Sequence, residues 1–380
     1  MNKKTKGSWG LAFSIGATAF AAHAGGGFAT GNQANNFFVS LGWISIFSAI
    51  LAMVLLAFSV REGQIMWNTR GLKSYKELFA ELFHPYDKIS ILYDIFYDIM
   101  ILMVVASCIA GAASALNQYI GINYYIGAVV IGILILFLSI FGAELIRKSS
   151  TYMGTVILVL SITIYLIGIV KSKGLMATMS LDFANQGFDQ LPKAILNGFT
   201  YAGFQWVTIP AVLACGTVLK TKSDCTKGML FTLIFNCLGL GLSVLMLFSW
   251  ASYYTAVENG TTIPTLTVLM NEDMGMSILV LLYVIVLFLC MISSGVAVVF
   301  GFINRFENAS YLQPIKNTQV RRSAIAIFIM VISMGISFAG LTNVVKYGYG
   351  YCGYLGCLVA VLPLLTIGYY KNRKFLKENK

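Results

Sequence analysis

Ten runs of about 20 mainly apolar residues, parted by short polar stretches, constrain this chain more than any other feature. A helix of that length crosses the hydrocarbon core of a bilayer. The runs cover residues 8–36, 41–60, 89–118, 124–145, 151–170, 191–219, 228–250, 276–305, 324–341 and 347–370, here called spans 1 to 10. Spans 1, 3, 6 and 8 are long enough to tilt or to contain a break. Of 380 residues 58% are hydrophobic and only 11% charged. A soluble domain carries about 25% charged residues, so this chain cannot coat itself for water. The reading is an all-α integral membrane protein in a lipid bilayer.

The net charge of +11 raises the question of nucleic acid, and its distribution answers it. With the N-terminus in the cytoplasm, all of the 26 Lys and Arg residues except Lys171, Lys173, Lys193 and Lys346 fall on the cytoplasmic side. That asymmetry is the positive-inside pattern of a membrane protein, and one span more or fewer would destroy it. Both termini are therefore expected in the cytoplasm, the chain crossing the plasma (inner) membrane many times, with no nucleic-acid partner. Lys3, Lys4 and Lys6 precede an apolar run with no small-residue cleavage site, unlike a signal peptide. Cys108, Cys215, Cys237, Cys290 and Cys357 all lie inside apolar runs, and no C-x-x-C occurs among the seven cysteines. Buried cysteine of this kind acts as a small hydrophobe, so no metal or redox cofactor is expected beyond a transported ion. Residues 69–84 read as an inner amphipathic helix and 263–271 as a short outer helix beginning near Pro264.

Ten spans divide into five plus five, giving one transmembrane domain built as inverted repeats over 8–170 and 191–370. In such folds corresponding helices of the two halves lose helical structure near the midplane, where substrate binds. Span 1 contains His23-Ala24-Gly25-Gly26-Gly27-Phe28-Ala29-Thr30-Gly31, and span 6 contains Asn197-Gly198-Phe199-Thr200-Tyr201-Ala202-Gly203-Phe204 with Pro210 beyond. Consecutive glycines let a helix open. The freed backbone groups are tolerated only where protein, water or ligand satisfies them. A half-helix N-terminus then favours a carboxylate, and freed carbonyls favour a cation. Glycines also let membrane helices pack closely; three in a row, matched by a second cluster in span 6, favour a break.

The run from Gly25 to Gln33, Gly-Gly-Gly-Phe-Ala-Thr-Gly-Asn-Gln, followed by Phe37-Phe38, resembles the G-A-G-F-A-S-G-Q-E…F-F signature of the YkvI-like membrane proteins. These are a bacterial branch of the amino acid–polyamine–organocation superfamily. Gly26, Thr30 and Asn32-Gln33 depart from that signature, and the last removes an acid. The resemblance implies the LeuT-type fold with discontinuous helices 1 and 6 and a site between spans 1, 3, 6 and 8. Carried over, the substrate contacts are Ala24, Gly25, Gly26 and Gly27 from span 1, with Thr200, Tyr201, Gly203 and Phe204 from span 6. Sodium-coupled members hold an ion between spans 1 and 8 with adjacent hydroxyls. Here Ser293 and Ser294 match, joined by the carbonyls of Ala21, Ala24 and Cys290, an all-oxygen set suited to a hard cation. The same serines could instead bond neighbouring helices. Some proton-coupled relatives place a span 5 lysine there, and residues 151–170 contain none.

Ionisable groups within a membrane are costly and point to function. His23, just before the break, is a candidate for proton coupling or for holding the opened backbone. Asp94 and Asp98, four apart on span 3, are candidates for an inner gate or for pairing with Arg61, Lys88 or Lys148. Glu62 and Glu144 are expected at helix ends. The sequence thus favours a secondary transporter of an amino acid or related small amine, coupled to sodium in preference to protons. The alternative is a membrane receptor of the same fold that binds the ligand without moving it. An enzyme is disfavoured: there is no phosphate-binding loop, and His23 and His84 are the only histidines.

Overall fold

The computed structural model describes residues 7–23, 26–141, 143–172, 174–275 and 277–378, and among them it contains helices and no strand. Span 1 comprises Gly7–His23, Gly26–Ala29 and Asn32–Phe37. Span 2 is Ser45–Thr69, span 3 Ile91–Ile120, span 4 Tyr124–Phe141 and span 5 Ala143–Lys171. Span 6 divides into Leu191–Gln205 and Ile209–Cys215. Span 7 is Lys222–Ser249, span 8 Ser277–Phe306, span 9 Thr318–Ser337 and span 10 Leu341–Glu378. Among the described residues seven helices are long and apolar enough to cross a membrane singly, and span 6 qualifies as a pair bent by 59°. The chain is a multi-pass membrane protein, and ten spans are consistent with this architecture.

Spans 1, 2, 6 and 7 pack into one group, span 1 lying along span 7 and span 2 against spans 6 and 7. Spans 3, 4, 8 and 9 form a second group, in which span 3 packs on spans 4, 8 and 9. Span 5 bridges the groups by packing on spans 7 and 8, and span 10 does so through spans 6, 3 and 2. Two groups joined by flanking helices place a cleft between them, with span 1 on one wall and spans 3 and 8 on the other.

The expected inner helix is Tyr75–Phe83, capped by Ser74 Oγ accepting from Glu77 N at 3.3 Å. Its buried face carries Leu78, Phe79 and Leu82, and the Phe79 ring stacks on Tyr93 of span 3 with centroids 3.7 Å apart. The expected outer helix is Pro264–Leu269, buried throughout. A further outer helix, Leu175–Gln186, was not anticipated, because its polar and apolar residues alternate without a strong pattern. Asp182 fixes it to the span 1–2 turn by accepting Trp43 N at 2.6 Å.

Spans 6 and 10 approach backbone to backbone. A Cβ on Gly203 would overlap the carbonyl oxygen of Gly353, and one on Gly356 would overlap that of Gly203. Small residues allow this contact, and without it two transmembrane helices have little attraction that lipid does not also offer. Gly203→Val is expected to lower stability by at least about 1–3 kcal/mol through overpacking. Gly335→Ala, where a Cβ meets nothing within 4 Å, should leave it unchanged. Thermal unfolding of the purified variants in one detergent compares them.

Candidate functional site

The break in span 6 lies at Trp206–Thr208, just beyond the glycine cluster that was expected to open it. Gly203 is occupied in the contact with span 10, so its missing side chain serves packing. Pro210 makes the break instead. It sits in the first turn of Ile209–Cys215 and has no N–H, so the carbonyl of Trp206, four residues earlier, loses its regular helical partner. Tyr93 of span 3 supplies a replacement, its hydroxyl donating to Trp206 O at 2.8 Å. The Trp206 indole N–H donates to Ser59 Oγ of span 2 at 2.9 Å, and the ring is fully buried.

Among the described residues span 1 leaves the helix at Thr30–Gly31, just past the glycine triplet. Ala24 and Gly25 lie outside the described residues; Gly26–Ala29 is a single helical turn, and Gly31 turns the chain with φ 78° into Asn32–Phe37. The opened carbonyls find partners. Tyr283 of span 8 donates to Ala29 O at 2.6 Å, and Thr30 Oγ1 donates to Gly27 O at 2.8 Å.

Between the breaks lies a cavity of about 530 Å³. Span 1 contributes Ala21, His23, Gly27 and Gln33; span 6 contributes Phe204, Gln205 and Thr208; span 8 contributes Cys290, Ser293 and Ser294. Tyr97 and Ser107 of span 3 and Tyr349 of span 10 close the remaining wall, where Ser107 Oγ and Tyr349 Oη are 2.7 Å apart. Among the described residues no Asp, Glu, Lys or Arg lines it. Exposure grows toward the side carrying the chain termini: Gly27, Gln33 and Ser293 are buried, whereas Ser14, Ala211, Ala297 and Gly301 are exposed. The opposite side is sealed. Asn32 Nδ2 donates to Thr261 O at 3.2 Å, Thr262 O at 2.9 Å and Thr342 Oγ1 at 3.0 Å. Gln118 Nε2 donates to Thr267 Oγ1 at 2.8 Å, and Tyr254 Oη to Asn35 Oδ1 at 2.7 Å.

His23 bonds side chains rather than opened backbone. Its Nδ1 meets Asn236 Oδ1 of span 7, and its Nε2 lies 2.9 Å from Tyr201 Oη. The Tyr201 hydroxyl lies 3.1 Å from Gln33 Oε1. Asn236 Nδ2 is committed to Thr232 O at 2.7 Å, which turns its oxygen toward the histidine. A chain of four buried side chains therefore links spans 7, 1 and 6 at the break. The Gln33 amide lies over Gly27, where a Cβ would stand 2.5 Å from its Nε2.

The other expected residues divide clearly. Phe204 and Gly27 line the cavity, and Tyr201 lies one layer behind. Thr200 and Gly203 face span 10, and the Thr200 hydroxyl returns to Leu196 O at 2.8 Å. Ala21, Cys290, Ser293 and Ser294 all line the cavity, and Ser293 Oγ donates to Cys290 O at 3.1 Å. Asp94 and Asp98 sit outside the cavity and hold Arg305 of span 8 at 3.0 and 3.3 Å in place of the expected Arg61 or Lys88, while the Lys148 side chain lies outside the described residues. Arg305 also stacks over the rings of Tyr75 and Tyr97. This cluster joins spans 3 and 8 of one group. Gln33, Asn236 and Tyr349 were not singled out from sequence. Asn236, a lone amide inside span 7, carried the signal of a polar residue in an apolar run.

No family model matches the chain, and no curated protein matches it. Solved structures do. A Na+-coupled sialic acid symporter in its substrate-bound outward-open state is 11% identical, with 94% of this chain and 90% of that chain covered and a TM-score of 0.61. MhsT in complex with L-phenylalanine is 12% identical, covers 96% and 97%, and has a TM-score of 0.62. The Eremococcus coleocola manganese transporter is 15% identical, covers 96% and 80%, and has a TM-score of 0.59. At such identities the likeness carries the fold alone, and that fold is the LeuT type.

Because Gln33 fills the space beside Gly27, Gly27→Ala is expected to displace the amide from Tyr201 and cost about 1–2 kcal/mol. In a Gln33→Ala background the same change should cost less than half as much, since the displaced partner is already gone. A double-mutant cycle by thermal unfolding measures the coupling; equal costs in both backgrounds would refute the contact.

Proposed function

We propose that the protein is a secondary transporter that moves an amino acid or related small amine by alternating access, driven by a cation gradient, sodium in preference to protons. The observation that carries this reading is the single cavity that both helix breaks and the Ser293–Ser294 pair share, open on one side and sealed on the other. The described basic segments, among them those carrying Arg61, Lys222, Arg305 and Arg373, lie on the open side, so by the positive-inside rule that side is the cytoplasm and the conformation is inward-facing.

A wall without fixed charge selects the ligand by dipoles and rings. The opened backbone of span 1 suits a carboxylate. Tyr97, Phe204 and Tyr349 offer aromatic surface for an amine or an apolar side chain. The bound species named for two neighbours, sialic acid and L-phenylalanine, both carry a carboxylate. Manganese fits less well: among the described residues no group of three His, Cys, Asp or Glu converges to hold a metal. For a coupling ion, the hydroxyls of Ser293 and Ser294 with the carbonyls of Ala21 and Cys290 provide oxygen donors beside the substrate space. The Ser293 hydroxyl gives its proton to Cys290 O, which leaves its lone pairs for a cation. The absence of lysine from residues 151–170 supports sodium.

Uptake of labelled amino acids into proteoliposomes, with and without an inward sodium gradient, tests the reading. Gradient-dependent accumulation is expected; binding without accumulation would instead identify a receptor. Gly26→Leu should abolish uptake while the protein still inserts. Ser293→Ala with Ser294→Ala should raise the sodium concentration for half-maximal uptake at least ~10-fold, by analogy with lost metal-site partners. An unchanged sodium response would remove that ion site.

A further inference from the structure

A second cavity, of about 290 Å³, lies on the termini side where spans 2, 7 and 10 end. Arg61, Lys222 and Arg373 face it together with Glu62, Tyr369 and Asn372, which makes three cations to one carboxylate. That carboxylate is already engaged. Glu62 is buried, accepts Asn372 Nδ2 at 2.8 Å and pairs with Arg61 Nη1. Arg61 Nε is likewise committed, to Thr226 Oγ1 at 2.9 Å, which leaves Nη2 for a ligand. Lys222 and Arg373 have no acidic partner among the described residues.

The remaining wall is apolar. Ile65 and Leu376 belong to a cluster with Ile15 and Ala19 of span 1 and Val212 of span 6. The cavity therefore has a cationic rim on an apolar base. Tyr369 and Tyr370 stand exposed at the end of span 10, the position at which tyrosines mark the headgroup level. The positive-inside pattern accounts for many basic residues on this side. It does not account for three of them, from three helices, converging on one cavity around a buried Glu62–Asn372 anchor.

We propose that this cavity binds the phosphate-bearing headgroup of an anionic phospholipid, Arg61, Lys222 and Arg373 taking the phosphate and the Ile65–Leu376 wall the start of the acyl region. Basic pockets between transmembrane helices on the cytoplasmic side recognise such headgroups by charge. A bound headgroup offsets part of the rim's positive charge and ties the end of span 10 to spans 2 and 7, beside the Ile15–Ala19 stretch of span 1. The binding itself does not depend on what the central cavity transports.

The test uses the full chain, delipidated in neutral detergent and titrated by native mass spectrometry with phosphatidylglycerol, phosphatidylcholine and inorganic phosphate in separate arms. Phosphatidylglycerol is expected to bind in preference to phosphatidylcholine. The double variant Lys222→Gln, Arg373→Gln should bind it roughly 30-fold more weakly, about fivefold for each cation removed. Lys222→Arg with Arg373→Lys, which keeps both charges, should restore binding and so separate charge from misfolding. Equal phosphatidylglycerol affinity in wild type and the Gln variant would overturn the site. So would equal retention of phosphatidylcholine. Saturation by inorganic phosphate, without preference for the lipid, would assign the rim to a soluble anion and overturn the lipid.

Discussion

The rest of this structure depends on one constraint: backbone groups released by a broken helix inside a bilayer must be satisfied from within the protein. Two tyrosines meet it. Tyr93, near the start of span 3, caps Trp206 O at the break of span 6. Tyr283, near the start of span 8, caps Ala29 O at the break of span 1. In a five-plus-five arrangement span 3 corresponds to span 8 and span 6 to span 1, so the two bonds are counterparts. Each runs from the group that contains spans 3 and 8 to a break in the group that contains spans 1 and 6. The breaks are thereby held open at fixed places, and the cavity between them follows.

How far the sequence discloses this depends on what each residue has to do. Apolar runs and the placement of lysine and arginine state a requirement of the solvent, so they locate the spans without knowledge of packing. The triplet Gly25-Gly26-Gly27 points to the right stretch of span 1, and the described turn follows it at Gly31. Span 6 misleads. Gly203 is there so that span 10 can touch its backbone, and a glycine needed for close approach looks the same as one needed for opening. The proline four residues past Trp206 carries the break, and it is visible in sequence once the lost hydrogen bond is counted. Partners across the bundle are a different matter. Nothing in the spacing of His23, Gln33, Tyr201 and Asn236 reveals that they form one chain, because their register depends on how spans 1, 6 and 7 pack. Likewise Asp94 and Asp98 announce a buried cation but not that it is Arg305.

The absence of fixed charge from the central cavity shapes what it can do. A charged side chain would bind an oppositely charged ligand in every conformation, whereas dipoles at a break act only where the break is assembled. On the transport reading proposed above, recognition by opened backbone and by Gln33 ties ligand binding to the local geometry of span 1. The buried chain through Tyr201 and His23 then joins that geometry to span 6 and span 7. Any ligand that moves Gln33 also disturbs contacts between three members of the same group, which therefore responds as a unit.

The seal on the far side sets the energy scale of switching. Beside the buried apolar side chains of Ile263, Leu266 and Leu269 it holds a few hydrogen bonds: those of Asn32 to Thr261, Thr262 and Thr342, of Gln118 to Thr267, and of Tyr254 to Asn35. Each contributes a net ~1 kcal/mol, because water takes the place of the partner when the bond opens. Their sum is a handful of kcal/mol. Reversing a two-state population from 1:99 to 99:1 takes about 5.5 kcal/mol of differential binding, a scale similar to that of these bonds. A seal of packed aromatic rings alone would resist opening through its apolar contacts, while hydrogen bonds to backbone carbonyls exchange readily with water. On the transport reading proposed above, the polar character of Asn32 and Gln118 keeps this seal within reach of a small ligand's binding energy.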